Sequence, residues 1–405
     1  MLKVLGERCA GCGACAQVCS QGAIEMQPNK EGFWYPQIIR ERCIDCGRCY
    51  NVCPWIDMGD SSLFHPSPRV AYAIKSKSRD IQMQATSGGL FAELARKFIA
   101  AGGVAYGAGY NSSFQVRHLR TASMEETEQL SGSKYVQSFM GSVYALAKQD
   151  LQQGKKVLFS GTACQIAGLR KYLVKDYENL LCVDVICHGV PSPRIWEYYV
   201  EKQEKRGGKI LEIIHRGKTI GGWSWRKQFF YLVFADGKVL RENIWENAYM
   251  LGFLKDLYLR PSCHECMFKR LDKRRVSDIT LGDYWGCEDI EPDFFDASGV
   301  SLAIMNTLKG EQCLNEVENI SKKVTNLEKA VSYNIAVMYS YRRMLARAYF
   351  FRKFHSQMSL EEFGRLVDTC VRLVGYENSL RKLCDYPRRI LGKLKRMCLG
   401  IGAKS

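Results

Sequence analysis

From Val70 onward, short apolar runs alternate with longer stretches in which apolar residues recur every three to four positions. "VAYAIK" reads as a strand. "TSGGLFAELARKFIAAGG" reads as a helix, with a cap at Thr86 or Ser87, apolar residues at helical spacing and Gly102–Gly103 as its stop. "GVAYGAGY" and "FQVRHLRTA" predict paired strands, and "GSVYALAKQDLQQG" a helix that ends at Gly154. "KKVLFSG" is a short buried strand running into the helix "TACQIAGLRKYL". "LLCVDVIC" is a second buried strand, followed by the helix "PSPRIWEYYVEKQEKRGG". "ILEIIHR" and "QFFYLVFADGKVLREN" predict further strands, the latter turning at Asp236–Gly237. Beyond Tyr333 the pattern is helical, aromatic and basic.

This alternation, with 405 residues to fold, predicts an α+β protein of several units. Residues 1–60 form a small N-terminal unit and 61–69 a Ser- and Pro-rich linker. Residues 70–150 and 151–332 are the two parts of an α/β body, and 333–405 form a helical tail. No apolar run approaches the roughly 18 residues of a membrane span. "MLKVLGERC" is too short before its first cysteine for a signal peptide, so a cytoplasmic location is expected. The formal charge of +16 is uneven: 15 Lys or Arg stand against 5 Asp or Glu from Tyr333 onward. That excess suits an acidic partner or an anionic membrane surface, or a plainly solvated helix face. "RRILGKLKRMCLGIG" spaces Ile390, Leu394, Met397 and Ile401 three to four apart, a pattern that suits a membrane surface, a partner or packing against the protein's own core. The tail lacks the signatures of nucleic-acid-binding modules.

Cysteine changes the picture most. The chain has 18. Eight of them form a duplicated pattern in 1–60: Cys9, Cys12, Cys15 and Cys19, then Cys43, Cys46, Cys49 and Cys53, with Gly13 and Gly47 after each second cysteine. Thiolates at this spacing are soft ligands for iron–sulfur clusters, three from one loop capping one face of a cubane. In two-cluster ferredoxins the fourth cysteine crosses over. That rule assigns Cys9, Cys12, Cys15 and Cys53 to one 4Fe–4S cluster, and Cys43, Cys46, Cys49 and Cys19 to the other. Ser20 stands where the motif usually has proline.

Five further cysteines sit at turns. Cys164 lies in "GTACQ", Cys187 in "CHGVPSP", Cys263 and Cys266 in "SCHEC", and Cys287 after "GDYW". Cys164, Cys187, Cys263 and Cys266 are candidate ligands of a third cluster, with Cys287 in reserve. Zinc held by Cys263 and Cys266 with two others, or no metal, are the alternatives. Cys182 reads as a core residue, and Cys313, Cys370, Cys384 and Cys398 as ordinary helix thiols.

"TSGG", "GSKYVQS", "GTACQIAGL", "CHGVPSP", "SCHEC" and "SDITLGDYWG" occur in this order. Together they resemble the beta subunit of coenzyme F420 hydrogenases and dehydrogenases, over residues 1 to about 310. The resemblance implies a flavoprotein that carries FAD and a 4Fe–4S cluster, here with a two-cluster ferredoxin unit in front. It implies hydride exchange between FAD and a soluble two-electron carrier such as coenzyme F420. Single electrons would then pass through the clusters to ferredoxin or a partner subunit. FAD is expected between Thr86, Ser87, Gly88 and Gly89, between Lys134, Tyr135 and Gln137, and between Gly161, Thr162 and Gln165. On the residues alone, "TSGG" opens a helix whose free N–H groups suit a phosphate, or is a plain N-cap with a packing glycine, and Lys134 supplies a positive charge or is an ordinary solvated lysine. His188, Asp283 and Trp285 can shape the pocket, or serve as packing. An electron-transfer subunit with no organic substrate of its own is the other reading.

Overall fold

The computed structural model describes residues 5–56, 70–218, 222–224, 227–269 and 275–399, with side chains described only to Arg381 at that end. The strands, in chain order, are β1 (Ile24–Pro28), β2 (Trp34–Ile38), β3 (Val70–Ser76), β4 (Val104–Tyr110), β5 (Val116–Thr121), β6 (Val157–Thr162), β7 (Leu180–Val185), β8 (Ile210–Gly217), β9 (Phe229–Phe234), β10 (Val239–Asn243), β11 (Ile279–Asp283), β12 (Ser301–Met305) and β13 (Ile320–Thr325). The fold is mixed α and β, with a ferredoxin-like unit before an α/β body. Within the expected body the strand–helix alternation continues past the last strand read from the sequence, through β11 and β12 to β13.

Eight strands form one sheet in the order β13-β3-β12-β11-β7-β6-β4-β5. β4, β6, β7 and β11 run parallel, while β12, β5 and β13 oppose their neighbours. The central strands are covered on both faces, which is why "VLFSGT" and "LLCVDV" begin with continuous apolar runs. The outer strand β13 carries exposed Lys322 and Lys323, which discourage pairing with another chain. β3, β4, β6, β7 and β11 all end on one edge of this sheet. Ser76, Tyr110, Thr162, Val185 and Asp283 therefore lie along a single rim, where open α/β sheets bind ligands. A second, antiparallel sheet, β10-β9-β8, packs beside the helix Pro193–Gly207.

The tail's helices Leu345–Lys353 and Leu360–Leu399 begin as part of the body. Phe350, Phe363, Val367 and Cys370 are fully buried in one aromatic cluster with Trp196, Tyr199 and Tyr258. The amphipathic stretch from Ile390 to Ile401 lies beyond the described side chains. Among the described residues no helix is long and apolar enough to cross a membrane.

The N-terminal unit, a β1–β2 hairpin with two short helices, is held to the body by two buried arginines. Arg260 is completely buried. It donates to the Cys9 carbonyl (2.7 Å), the Trp34 carbonyl (3.0 Å) and Gln137 Oε1 (3.2 Å), and lies 4.1 Å from the Tyr35 ring centre. Arg347 grips both carboxylate oxygens of Glu31 at 3.0 and 2.6 Å and donates to the Leu259 carbonyl. The surfaces meet so closely that a Cβ on Gly32 would stand 2.3 Å from Arg194 Cβ.

Truncating Phe350, which touches Tyr258, Phe354 and Phe363, tests whether the tail belongs to the core. Phe350→Ala should lower the free energy of unfolding by about 3–5 kcal/mol in urea titration. A loss under about 0.5 kcal/mol would place the segment outside it.

Candidate redox centre

The two short helices of the N-terminal unit, Ala14–Val18 and Arg48–Asn51, start the same way. Gly13 and Gly47 precede them with φ of 75° and 74°, a left-handed turn that an L side chain resists. The duplicated loops thus share a shape as well as a spacing. Burial drives the Cys12 thiol well above its usual range, with Cys15, Cys53 and Cys9 as further negative neighbours. For Cys15 burial again leads, followed by Cys9, Cys53 and Cys49. Around Cys49 the thiol neighbours are Cys19, Cys43 and Cys46. The fourth cysteine of each repeat thus lies among the first three of the other. Thiols crowded and desolvated in this way do not ionise in water's favour. They lose their protons when a metal compensates the charge.

The second set converges from three elements. Cys164 sits in the first turn of the helix Ala163–Leu173, directly after β6. Thr162 and Gln165 close that turn as a capping box. Cys187 follows β7 by two residues. Cys263 and Cys266 belong to the turn begun at Pro261. All four line one cavity of about 40 Å³ at the sheet rim, with Ala10 and Trp55 of the N-terminal unit forming part of its wall. Cys12 Sγ approaches the same helix one turn further on: a Cβ on Gly168 would stand 3.0 Å from it.

Cys287 is not among them. It starts the helix Cys287–Ile290 and is buried with Tyr284, Val300 and Ala330, so the reserve candidate is a core thiol. His264 bonds the Tyr341 carbonyl through Nδ1 at 2.9 Å. His188 Nε2 is 2.6 Å from Asp256 Oδ1, so its side chain is engaged with a carboxylate. Among the described residues, no three His, Cys, Asp or Glu side chains are gathered as a single ion requires. Cys182 is fully buried in β7, as expected.

The remaining motifs lie along the rim. "GSKYVQS" runs beside it and joins the other two. Ser133 N donates to Thr86 Oγ1 at 2.8 Å, and at its far end Ser138 Oγ accepts from Gln165 Nε2 at 2.9 Å. Tyr135 occupies the middle, its hydroxyl accepting from Arg216 at 2.7 Å, with Arg216 also paired to Asp283 at 2.8 Å. Several expected cofactor groups are engaged within the protein. Ser87 Oγ and Gly88 N both meet Ser301 Oγ at 2.9 Å, and a Cβ on Gly88 would stand 2.2 Å from the Ile74 carbonyl. Gly88 is thus a packing glycine. Gly89 is left-handed at φ 90° and opens the helix Leu90–Ala100. Thr162 N donates to Gln165 Oε1. A Cβ on Gly161 would press on the same Oε1 at 3.0 Å. Gln137 is an interface residue: its Oε1 accepts from Trp34 N and Arg260.

Lys134 donates to the Gln129 and Ser131 carbonyls at 2.8 and 2.7 Å, and burial pulls its ammonium down to about 7. Sequence reasoning missed its neighbours. His215 accepts from Tyr135 N at 2.7 Å, and burial lowers it to about 3, so the ring is neutral. Arg216 lies 5.2 Å from the Trp285 ring centre, Trp285 stacks on Trp223, and one Arg216 guanidinium nitrogen is buried without a partner among the described residues. Lys218 donates to the carbonyls of Gln82, Ser87 and Ser298, tying down the turn before Gly88. The run "HRGK" at the end of a strand was the available signal.

Residues 8–55 match the family described as 4Fe-4S dicluster domain. Residues 154–330 match the family described as the C terminus of the coenzyme F420 hydrogenase/dehydrogenase beta subunit. No curated protein matches. A chain of the F420-reducing [NiFe] hydrogenase complex from Methanosarcina barkeri aligns with TM-score 0.46 and 16% identity, over 79% of this chain and 94% of that one.

Gly168 gives a test of the contact between the two thiol sets. In a free helix Gly→Ala stabilises by about 0.8–1.0 kcal/mol. Here the added methyl meets Cys12 and the Tyr144 hydroxyl, so Gly168→Ala should destabilise and lower the iron bound per chain, read by urea titration and metal analysis. A stabilised variant with full iron would separate Cys12 from this helix.

Proposed function

We propose, from a chain in which a 4Fe-4S dicluster domain precedes the C-terminal domain of coenzyme F420 hydrogenase/dehydrogenase beta subunits, an iron–sulfur flavoprotein oxidoreductase. In this reading Cys9, Cys12, Cys15 and Cys53 hold an inner cluster, and Cys43, Cys46, Cys49 and Cys19 an outer one. Cys164, Cys187, Cys263 and Cys266 hold a third. The unit boundaries at 60, 70, 150 and 332 belong to the same proposal.

The observation that carries it is the shared cavity. Four thiols of the body face a wall to which the N-terminal unit contributes Ala10, next to Cys9, and Trp55, two residues after Cys53. The inner quartet is thereby set against the third. In the outer quartet Cys46 is exposed. The order outer, inner, third gives single electrons a route from the surface to the sheet rim, and ferredoxin or a partner subunit would meet the outer end.

The rim also fits FAD. From the turn after β6 to the turn after β3 it crosses four strand spacings, roughly 19 Å, a dinucleotide's length scale more than a single phosphate's. Along it, Lys134 has a third N–H with no acceptor among the described residues, and Arg216 has its unpartnered nitrogen. Bound there, FAD supplies the exchange between hydride and single electrons that clusters lack. The chain's own part is to hold a cation at Lys134, fix Tyr135 through His215 and Arg216, and keep the thiols dry. A soluble two-electron carrier, F420 or another, would give the hydride, and two one-electron transfers would balance it.

Lys134→Ala should weaken FAD retention about tenfold or more, as loss of one charge-assisted contact of about 1.5–3 kcal/mol implies. Full flavin occupancy with full carrier-dependent viologen reduction would remove Lys134 from the site. Wild-type protein that takes up no flavin on anaerobic reconstitution, judged by its visible spectrum, would leave the pure electron-transfer subunit standing. The pH dependence has a defined sign. A Lys134 that titrates near 7 in the free protein loses its charge as pH rises, so flavin affinity should fall between about pH 6 and 9. Lys134→Arg should flatten that profile. An equal fall in Lys134→Arg would assign the effect elsewhere.

A further inference from the structure

The cavity that gathers Cys164, Cys187, Cys263 and Cys266 is walled mainly by apolar groups, yet Lys269 reaches it. Lys269 is only 6% exposed. Its ammonium donates to the His188 carbonyl at 2.8 Å and lies 5.3 Å from the Tyr341 ring centre. Among the described residues no carboxylate stands within ion-pair distance of it. It shares the wall of one cavity with Cys164, Cys187, Cys263 and Cys266. Among the described residues the other cations nearby are engaged. Arg275 is paired with Asp184, and Arg260 is bound to Cys9, Trp34 and Gln137. A buried ammonium is costly unless a negative charge answers it. Thiolates of a cluster held by the four cysteines would supply that negative charge.

We propose that Lys269 is the counter-charge of the third cluster and raises its reduction potential. The proposal rests on the reading that these four cysteines hold a cluster. Each reduction adds one electron, and so one negative charge, to a group enclosed in a dry wall. A fixed positive charge in the wall of its cavity stabilises the reduced form more than the oxidised one, since net charge and surroundings set such potentials. Lys269 touches no substrate and is a positioning residue. The third cluster then holds an electron more readily than it would without the lysine, which favours its place between the inner cluster and the flavin.

The test is a redox titration followed by electron paramagnetic resonance on full-length, anaerobically reconstituted protein. The third cluster's signal is the one that Cys164→Ala removes. At the wild-type midpoint, Lys269→Met should lower the reduced-to-oxidised ratio of that signal about tenfold, a shift of about 59 mV to more negative potential. Lys269→Arg should stay near wild type, and the two N-terminal signals should not move. An unmoved midpoint in Lys269→Met overturns the inference and leaves the cluster reading intact. Equal shifts in the Met and Arg variants overturn it as well, because fit and not charge would then be at work. If Lys269→Met loses the signal, Lys269→Gln and Lys269→Arg decide: retention in Arg alone supports the inference, and loss in all three overturns it. A wild-type protein with no third signal overturns the cluster reading and the inference together.

Discussion

Two guanidinium groups removed from water fix how the N-terminal unit meets the body, and every relation between the thiol sets depends on them. Arg260 and Arg347 are 0% and 1% exposed. An uncompensated charge at such depth is unfavourable by several kcal/mol, so each must find all its acceptors or the interface opens. Arg260 finds two backbone carbonyls of the N-terminal unit and one side-chain carbonyl of the body. Arg347 finds the Glu31 carboxylate in the two-pronged geometry that suits a guanidinium best. Partners at fixed positions on both surfaces make the docking specific in register as well as firm. Arg260 also stands three residues before Cys263, and its acceptor is the carbonyl of Cys9. The clamp and the two thiol sets are therefore one construction.

The body's contribution is the shared rim. Parallel strands bring their ends to one edge, so residues distant in sequence arrive together without long connections. Thr162, Val185 and Asp283 reach it on β6, β7 and β11, and Ser301 begins β12 beside them. One end of the rim holds the cysteine cavity. The other holds Ser87, Lys218 and the start of the helix Leu90–Ala100. "GSKYVQS" runs between, bonded at both ends. The geometry places thiols, cations and aromatic rings along this one rim.

Much of this was legible in the sequence, for physical reasons that differ from residue to residue. The duplicated cysteines were clear because metal ligation fixes spacing, and the glycines after each second cysteine mark the left-handed turn. The strand–helix alternation was clear because buried parallel strands must be apolar on both faces. Cys164, Cys187, Cys263 and Cys266 could be grouped because all stand at turns, but the same argument admitted Cys287. Only the path of the helix Cys287–Ile290 beneath Tyr333 turns that thiol into the core. Gln137 misled in the opposite way, since a polar residue in a motif is not labelled as interface or ligand site. Arg260 and Lys269 were missed because nothing in a lysine's or arginine's neighbours reveals that it will be buried, and Arg216 and Lys218 had only the run "HRGK" at a strand end to mark them. Their importance arises from tertiary placement, even where, as with Arg260 and Lys269, they flank the motif "SCHEC".

The account stands or falls on three clusters in one chain. Iron and acid-labile sulfide should be measured on full-length protein reconstituted without oxygen and freed of loosely bound metal. The account predicts about twelve irons and as many sulfides per chain, three cubanes of four. About eight of each, with the cysteine cavity free of iron, would contradict it.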